Sequence, residues 1–107
     1  MNPNSEQKRI AFGYYRECGK IVCYETQALC VKLIFMFYLD GRSINNIKEV
    51  LESMGIPSPK NNQKWGKQVI ANILSNPHYT GIDGYPQIIA PEDFEKVQAI
   101  KASKTYK

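Results

Sequence analysis

Gly55-Ile56-Pro57-Ser58-Pro59, then Lys64-Trp65-Gly66-Lys67, then Ile73-Leu74-Ser75-Asn76-Pro77-His78-Tyr79-Thr80-Gly81 is the stretch whose reading decides the fold. Gly55 ends a helix, and Pro57 and Pro59 hold the chain extended and stop that helix from continuing. A polar loop rich in Asn and Lys follows at residues 60–64. A short third helix is expected from Lys67 to Ser75, with Ile70, Ile73 and Leu74 inward and Lys67, Gln68, Ala71, Asn72 and Ser75 outward. Pro77 is expected to terminate it, lacking an amide proton and clashing with the preceding turn. No Asp or Glu falls between Glu52 and Asp83, whereas Lys60, Lys64 and Lys67 do. Such a surface suits a polyanion better than a small metabolite.

Upstream, Phe12 to Arg16 and Lys20 to Tyr24 are β-prone runs flanking Cys18-Gly19, the pattern of a hairpin. From Thr26 the period turns helical. Ala28, Val31, Ile34, Phe35 and Tyr38 form one stripe, with Leu39 beside it and Gly41 placed to close the helix in a left-handed conformation. Ser43 reads as the N-cap of a second helix that turns Ile44, Ile47, Val50, Leu51 and Met54 inward before Gly55. Downstream, a turn at Asp83-Gly84 and the pair Ile88-Ile89 precede Pro91, a favoured first helical residue. Glu92 and Asp93 complement the positive helix end, and Phe94, Val97 and Ile100 point inward. The expected class is mainly α with a small β-hairpin, containing a helix-turn-helix-like pair. Residues 1–10 read as a flexible arm and 11–104 as one domain.

Composition narrows the function. A chain of 107 residues supports one modest core, and 43% hydrophobic content with 11% aromatics is that of a folded protein. The net charge of +4 is concentrated: residues 53–82 alone contribute +3. No apolar run reaches the ~20 residues needed to span a bilayer, and the polar start Asn2 to Gln7 is no secretory signal, so the chain reads as soluble and cytoplasmic. Cys18, Cys23 and Cys30 are odd in number and lack Cys-x-x-Cys spacing, and His78 is the lone histidine. No metal site, cofactor or catalytic residue is expected, and His78 reads as a turn residue.

A helix that follows a cationic loop and is polar on its outer side is dimensioned for the major groove of DNA, where Gln and Asn amides form paired bonds with adenine edges. Gln68 and Asn72, one turn apart, are the candidate readers. Lys60, Lys64, Lys67 and Arg16 are the candidate phosphate contacts, and the amides at Gly66 and Lys67 offer a helix-start anion site. The plainer alternatives are that paired amphipathic helices are common in small domains and that loop lysines are often merely solvated. Trp65 fits either a stacking role or, in preference, a core plug.

Taken together the signatures resemble the "recombinase" DNA-binding domain of the large serine recombinases, over nearly the whole chain from about Ile10 to Ile100. Ala11-Phe12-Gly13-Tyr14 is similar to the family's Pro-x-Gly-Tyr, with alanine for proline. Ala28, Val31, Ile34, Phe35 and Tyr38 match its Ala-x-x-Val-x-x-Ile-Phe-x-x-Tyr helix, followed by Gly41-x-Ser43-x-x-x-Ile47. Gly55-Ile56-Pro57-Ser58-Pro59 resembles its Gly-Ile-Pro-Thr-Pro. The most specific part is Trp65, then Ile73-Leu74-x-Asn76-Pro77-x-Tyr79-x-Gly81 and Ile88-Ile89-x-x-x-x-Phe94-x-x-Val97. Gly66 stands where the family starts its helix with Ser or Thr.

The resemblance implies a module that grips double-stranded DNA at half of a recombination or transposon-end site and delivers a catalytic serine domain to the crossover, alongside a zinc-ribbon domain. Neither companion is within these 107 residues, and the family's nucleophilic serine has no counterpart among the serines present. Ser43 is a cap and Ser58 a loop residue between prolines. The competing reading is a protein-interaction module built on Phe35, Met36, Phe37 and Tyr38. It would be favoured by Met36 and Phe37 exposed together with the lysine loop folded away. A lone enzyme finds no phosphate loop, metal cluster or nucleophile pair to support it.

Overall fold

The computed structural model describes residues 10–60 and 63–105. The expected arm at 1–10 lies outside this range but for Ile10, as do Asn61 and Asn62 of the polar loop. A two-stranded antiparallel hairpin, β1 (Tyr14–Glu17) and β2 (Lys20–Cys23), precedes four α-helices: α1 (Glu25–Leu39), α2 (Ile44–Ser53), α3 (Lys67–Leu74) and α4 (Pro91–Thr105). A short 3-10 turn, Pro77–Thr80, lies between α3 and α4. The fold is mainly α with a small hairpin, as its periodicities imply.

The hairpin turns on two residues, Cys18 and Gly19, with Glu17 opposite Lys20 and Tyr14 opposite Cys23. Both turn residues have positive φ (51° and 77°), the type I′ geometry whose twist matches the strands. The strands are shorter than the apolar runs. Phe12 and Gly13 form a turn, because Gly13 sits at φ 106° with its amide donated to Gln27 Oε1 at 2.9 Å. A Cβ at Gly13 would lie 3.3 Å from Val31 and 3.4 Å from Ile88, so glycine is required there both for conformation and for space.

α1 is the hub, contacting β1, α2, α3 and α4. Its stripe of Ala28, Val31, Ile34, Phe35 and Tyr38 is buried, together with Cys30. α1 and α2 both end in the same device. The amides of Gly41 and Arg42 reach back to Tyr38 and Phe37, and those of Gly55 and Ile56 to Glu52 and Leu51, with glycine in the left-handed conformation each time. Ser43 caps α2 by accepting the Asn46 amide at 3.0 Å. Ile47 and Leu51 are fully buried, while Ile44 and Val50 are half-buried. Met54 departs from expectation: α2 ends at Ser53, Met54 is its C-cap, and the side chain is exposed.

Pro77 does more than end α3. The helix already stops at Leu74 with Ser75 as cap, and Pro77 opens the 3-10 turn, with Asn76 accepting the His78 amide at 3.0 Å. That turn plants Tyr79 in the core, where its hydroxyl donates to the Phe12 carbonyl at 2.6 Å and its own carbonyl receives the amides of Ile88 and Ile89. Tyr14 lies against Tyr79 and donates to the Pro86 carbonyl at 2.7 Å. Burial pushes both phenols well above their ordinary value. No helix among the described residues is long and apolar enough to cross a membrane.

Candidate nucleic-acid interface

α3 places its side chains as the period requires. Ile70, Ile73 and Leu74 are buried, Lys67, Gln68, Asn72 and Ser75 are exposed, and Ala71 is intermediate. At eight residues the helix is about 12 Å long. It packs on α1, α2 and α4.

Its N-terminal end is anchored by Trp65. The indole is 1% exposed, donates its ring N–H to the Ile56 carbonyl at 2.8 Å, and meets Phe12 edge-to-face at 6.0 Å. Of the two readings of this residue, the core plug is the observed one. The Trp65 amide donates to Glu52 Oε2 at 2.7 Å, and Glu52 pairs with Lys48 at 3.0 Å. The Trp65 amide, then Lys48, and more weakly the charge of Lys64, hold the Glu52 carboxyl below its ordinary value. Ile56 and the end of α2 are thereby tied to the residue that precedes α3, and in the segment between them Ser58 is buried, its Oγ accepting the Lys60 amide at 3.3 Å.

Gly66 is the N-cap in an extended conformation, and no side chain among the described residues caps α3. The first-turn amides of α3 thus have no capping side chain among the described residues, in a segment where Lys60, Lys64 and Lys67 are all exposed. Lys64 also interacts with Glu52, and that carboxylate is already neutralised by Lys48, so the approach to α3 keeps its positive balance. Gln68 and Asn72 are bonded to each other: Gln68 Nε2 donates to Asn72 Oδ1 at 2.9 Å. Arg16 is exposed too, but it stands on β1 opposite Ile21, on the hairpin that packs against α1 and not on the α3 approach.

Sequence reading missed the contribution of α4. Gln98 Nε2 donates to the Leu74 carbonyl at 2.6 Å, and Lys101 Nζ reaches the Ala71 carbonyl at 3.5 Å and the Ser75 hydroxyl. An amide and a cation thus close the C-terminal end of α3, where carbonyls lack partners and the helix dipole is negative. Ser75, expected to be available on the outer face, has its hydroxyl engaged by Lys101. His78 is tied to Asp83 at 3.0 Å and stacks on Tyr85 at 4.4 Å, which pins the turn after Gly81.

A family model described as Recombinase matches residues 25–104, from the start of α1 to the penultimate residue of α4. The chain belongs to the Recombinase family. This is the domain found in large serine recombinases. A curated relative from Bacillus subtilis (strain 168), described as "Putative DNA recombinase", is 27% identical over 81 residues, covering 71% of this chain and 16% of that protein. A chain solved as "Crystal Structure of a LSR-DNA Complex" superposes with a TM-score of 0.76 at 24% identity, covering 92% of this domain and 32% of that chain. Another, from work on the sequence requirements of the Listeria innocua prophage attP site, gives 0.72 at 24% identity over 89% of this domain and 43% of that chain. These two likenesses establish the recombinase-domain fold, and this chain spans a minor part of the length of each relative.

Proposed function

We propose that this recombinase domain binds double-stranded DNA as a recognition module for site-specific recombination, gripping half of a recombination or transposon-end site while catalysis belongs to a separate serine recombinase domain. The observation that carries the reading is the division of α3: its apolar side is locked into the core, and its polar side, with the cationic approach, is at the surface. A helix about 10–12 Å across with side chains fits a major groove about 12 Å wide. The relatives add weight, since one is described as a DNA recombinase and another was solved with DNA.

In this reading Lys60, Lys64 and Lys67 meet phosphates, the open amides at Gly66 and Lys67 receive a phosphate oxygen, and Gln68 and Asn72 face base edges. Arg16 adds a phosphate contact if the duplex also passes the hairpin. Trp65 serves by positioning α3 and touches no DNA. The runner-up, a protein-interaction module, needed the lysine loop folded away. Met36 is exposed, but Phe37 is half-buried under the Arg42 guanidinium at 5.1 Å, and all three lysines stay at the surface.

Titrating the domain against candidate element-end duplexes and a scrambled duplex tests the assignment. Lys67→Ala is expected to weaken both duplexes alike, and Gln68→Ala with Asn72→Ala to erode discrimination between them. The opposite pattern would exchange the roles.

A further inference from the structure

Resting on the reading of α3 as a DNA-facing helix, we infer that Gln68 and Asn72 are a single composite reader. Asn72 makes the paired contact with one adenine, and Gln68 is the positioning residue that holds the Asn72 amide in the orientation adenine requires.

The two side chains are exposed one turn apart, and Gln68 Nε2 donates to Asn72 Oδ1 at 2.9 Å. That bond has two consequences. It directs the Gln68 amide along the helix towards Asn72. In this arrangement the oxygen is the atom of the Asn72 amide that faces Gln68. An amide oxygen accepts two hydrogen bonds, so Oδ1 keeps one lone pair, and Nδ2 keeps its N–H groups. The free lone pair and an adjacent N–H match the adenine edge in the major groove, which offers an N6–H donor next to the N7 acceptor. Guanine presents acceptors at both N7 and O6, so an Asn72 oxygen fixed in this sense is set against O6 and the base is disfavoured. Gln68 lies in the first turn of α3, behind the Gly66 cap, where a groove-binding helix brings its side chains closest to base edges. Ordering the pair before DNA arrives removes part of the rotamer entropy that binding otherwise costs.

The test is selection from a randomised duplex pool with the intact chain, Gln68→Met and Asn72→Ala, followed by titration of the selected duplex with 7-deazaadenine at the preferred adenine. Methionine keeps the length of Gln68 and cannot donate. Circular dichroism on each variant monitors helix content. The expected result is one adenine position whose preference Asn72→Ala abolishes and Gln68→Met weakens, with no other position altered. Removing N7 should cost the intact chain roughly tenfold to a hundredfold in affinity and cost Asn72→Ala nothing. If Gln68→Met relaxes a different position and leaves the Asn72 position intact, the residues read separately and the composite unit is refuted. Salt-sensitive binding without an adenine preference refutes it also, while leaving the DNA-binding function standing. Absence of duplex binding at any salt removes that function, and this inference with it.

Discussion

Trp65 shows how one side chain can prepare a site without touching a ligand. Its ring fills the core beside Phe12, its indole N–H satisfies the Ile56 carbonyl, and its amide satisfies Glu52. Trp65→Phe keeps an aromatic ring but leaves part of the indole space empty and orphans the Ile56 carbonyl, and a denaturant titration should show a loss of about 2–4 kcal/mol. The cysteines separate at the same scale. Cys18 is exposed in the hairpin turn, whereas Cys30 is buried and burial pushes its thiol up to about 12. At pH 8 an alkylating reagent should label Cys18 quickly and Cys30 only after unfolding, and mass spectrometry of timed aliquots reads this directly. Some of these roles were legible beforehand. Trp65 as a plug, Ser43 as a cap and Gly41 and Gly55 as helix ends follow from residue type and position. Glu52 was not, because its bond to Trp65 spans 13 positions and no local pattern encodes it.

At the level of elements, α3 is a short helix held at both ends by others. Isolated helices of its length are marginal, so its shape depends on tertiary support. Removing that support at the far end by Gln98→Ala leaves the Leu74 carbonyl without its partner, and we expect a loss of about 1 kcal/mol. Amide exchange should speed up most in the last turn of α3, while the hairpin is unchanged. The inward stripes of α1 and α3 were readable from their spacing, as was the hairpin from Cys18-Gly19. The clasp from α4 was not, since Gln98 lies 24 residues beyond Leu74 and on periodicity alone is an ordinary surface position. Met54 misled for a related reason: it keeps the helical phase, but the chain leaves the helix one residue earlier. The α2-to-α3 connection, residues 54–66, is also far longer than a minimal helix-turn-helix link, and among its described residues Ser58 and Trp65 are buried in the fold.

For the whole molecule, charge is the connecting theme. The Glu52 carboxyl joins α2 to the start of α3, and its value is lowered by the fold. A lowered carboxyl gives stability that is fully present above its ordinary 4.5 and is lost as pH falls through the folded value. Glu52→Gln should therefore lower the denaturation midpoint at pH 7, and the gap to the intact chain should close towards pH 3. The remaining charge balance faces outward, with +3 of the net +4 lying in residues 53–82. In the proposed function this excess grips phosphate. The most direct test is the affinity for a duplex measured across a salt series, for the intact chain and for Lys67→Ala. Three to four neutralised phosphates predict log affinity falling against log salt with a slope of about −3 to −4, reduced by about 1 in the variant. A flat dependence, or a slope that Lys67→Ala leaves unchanged, would contradict it.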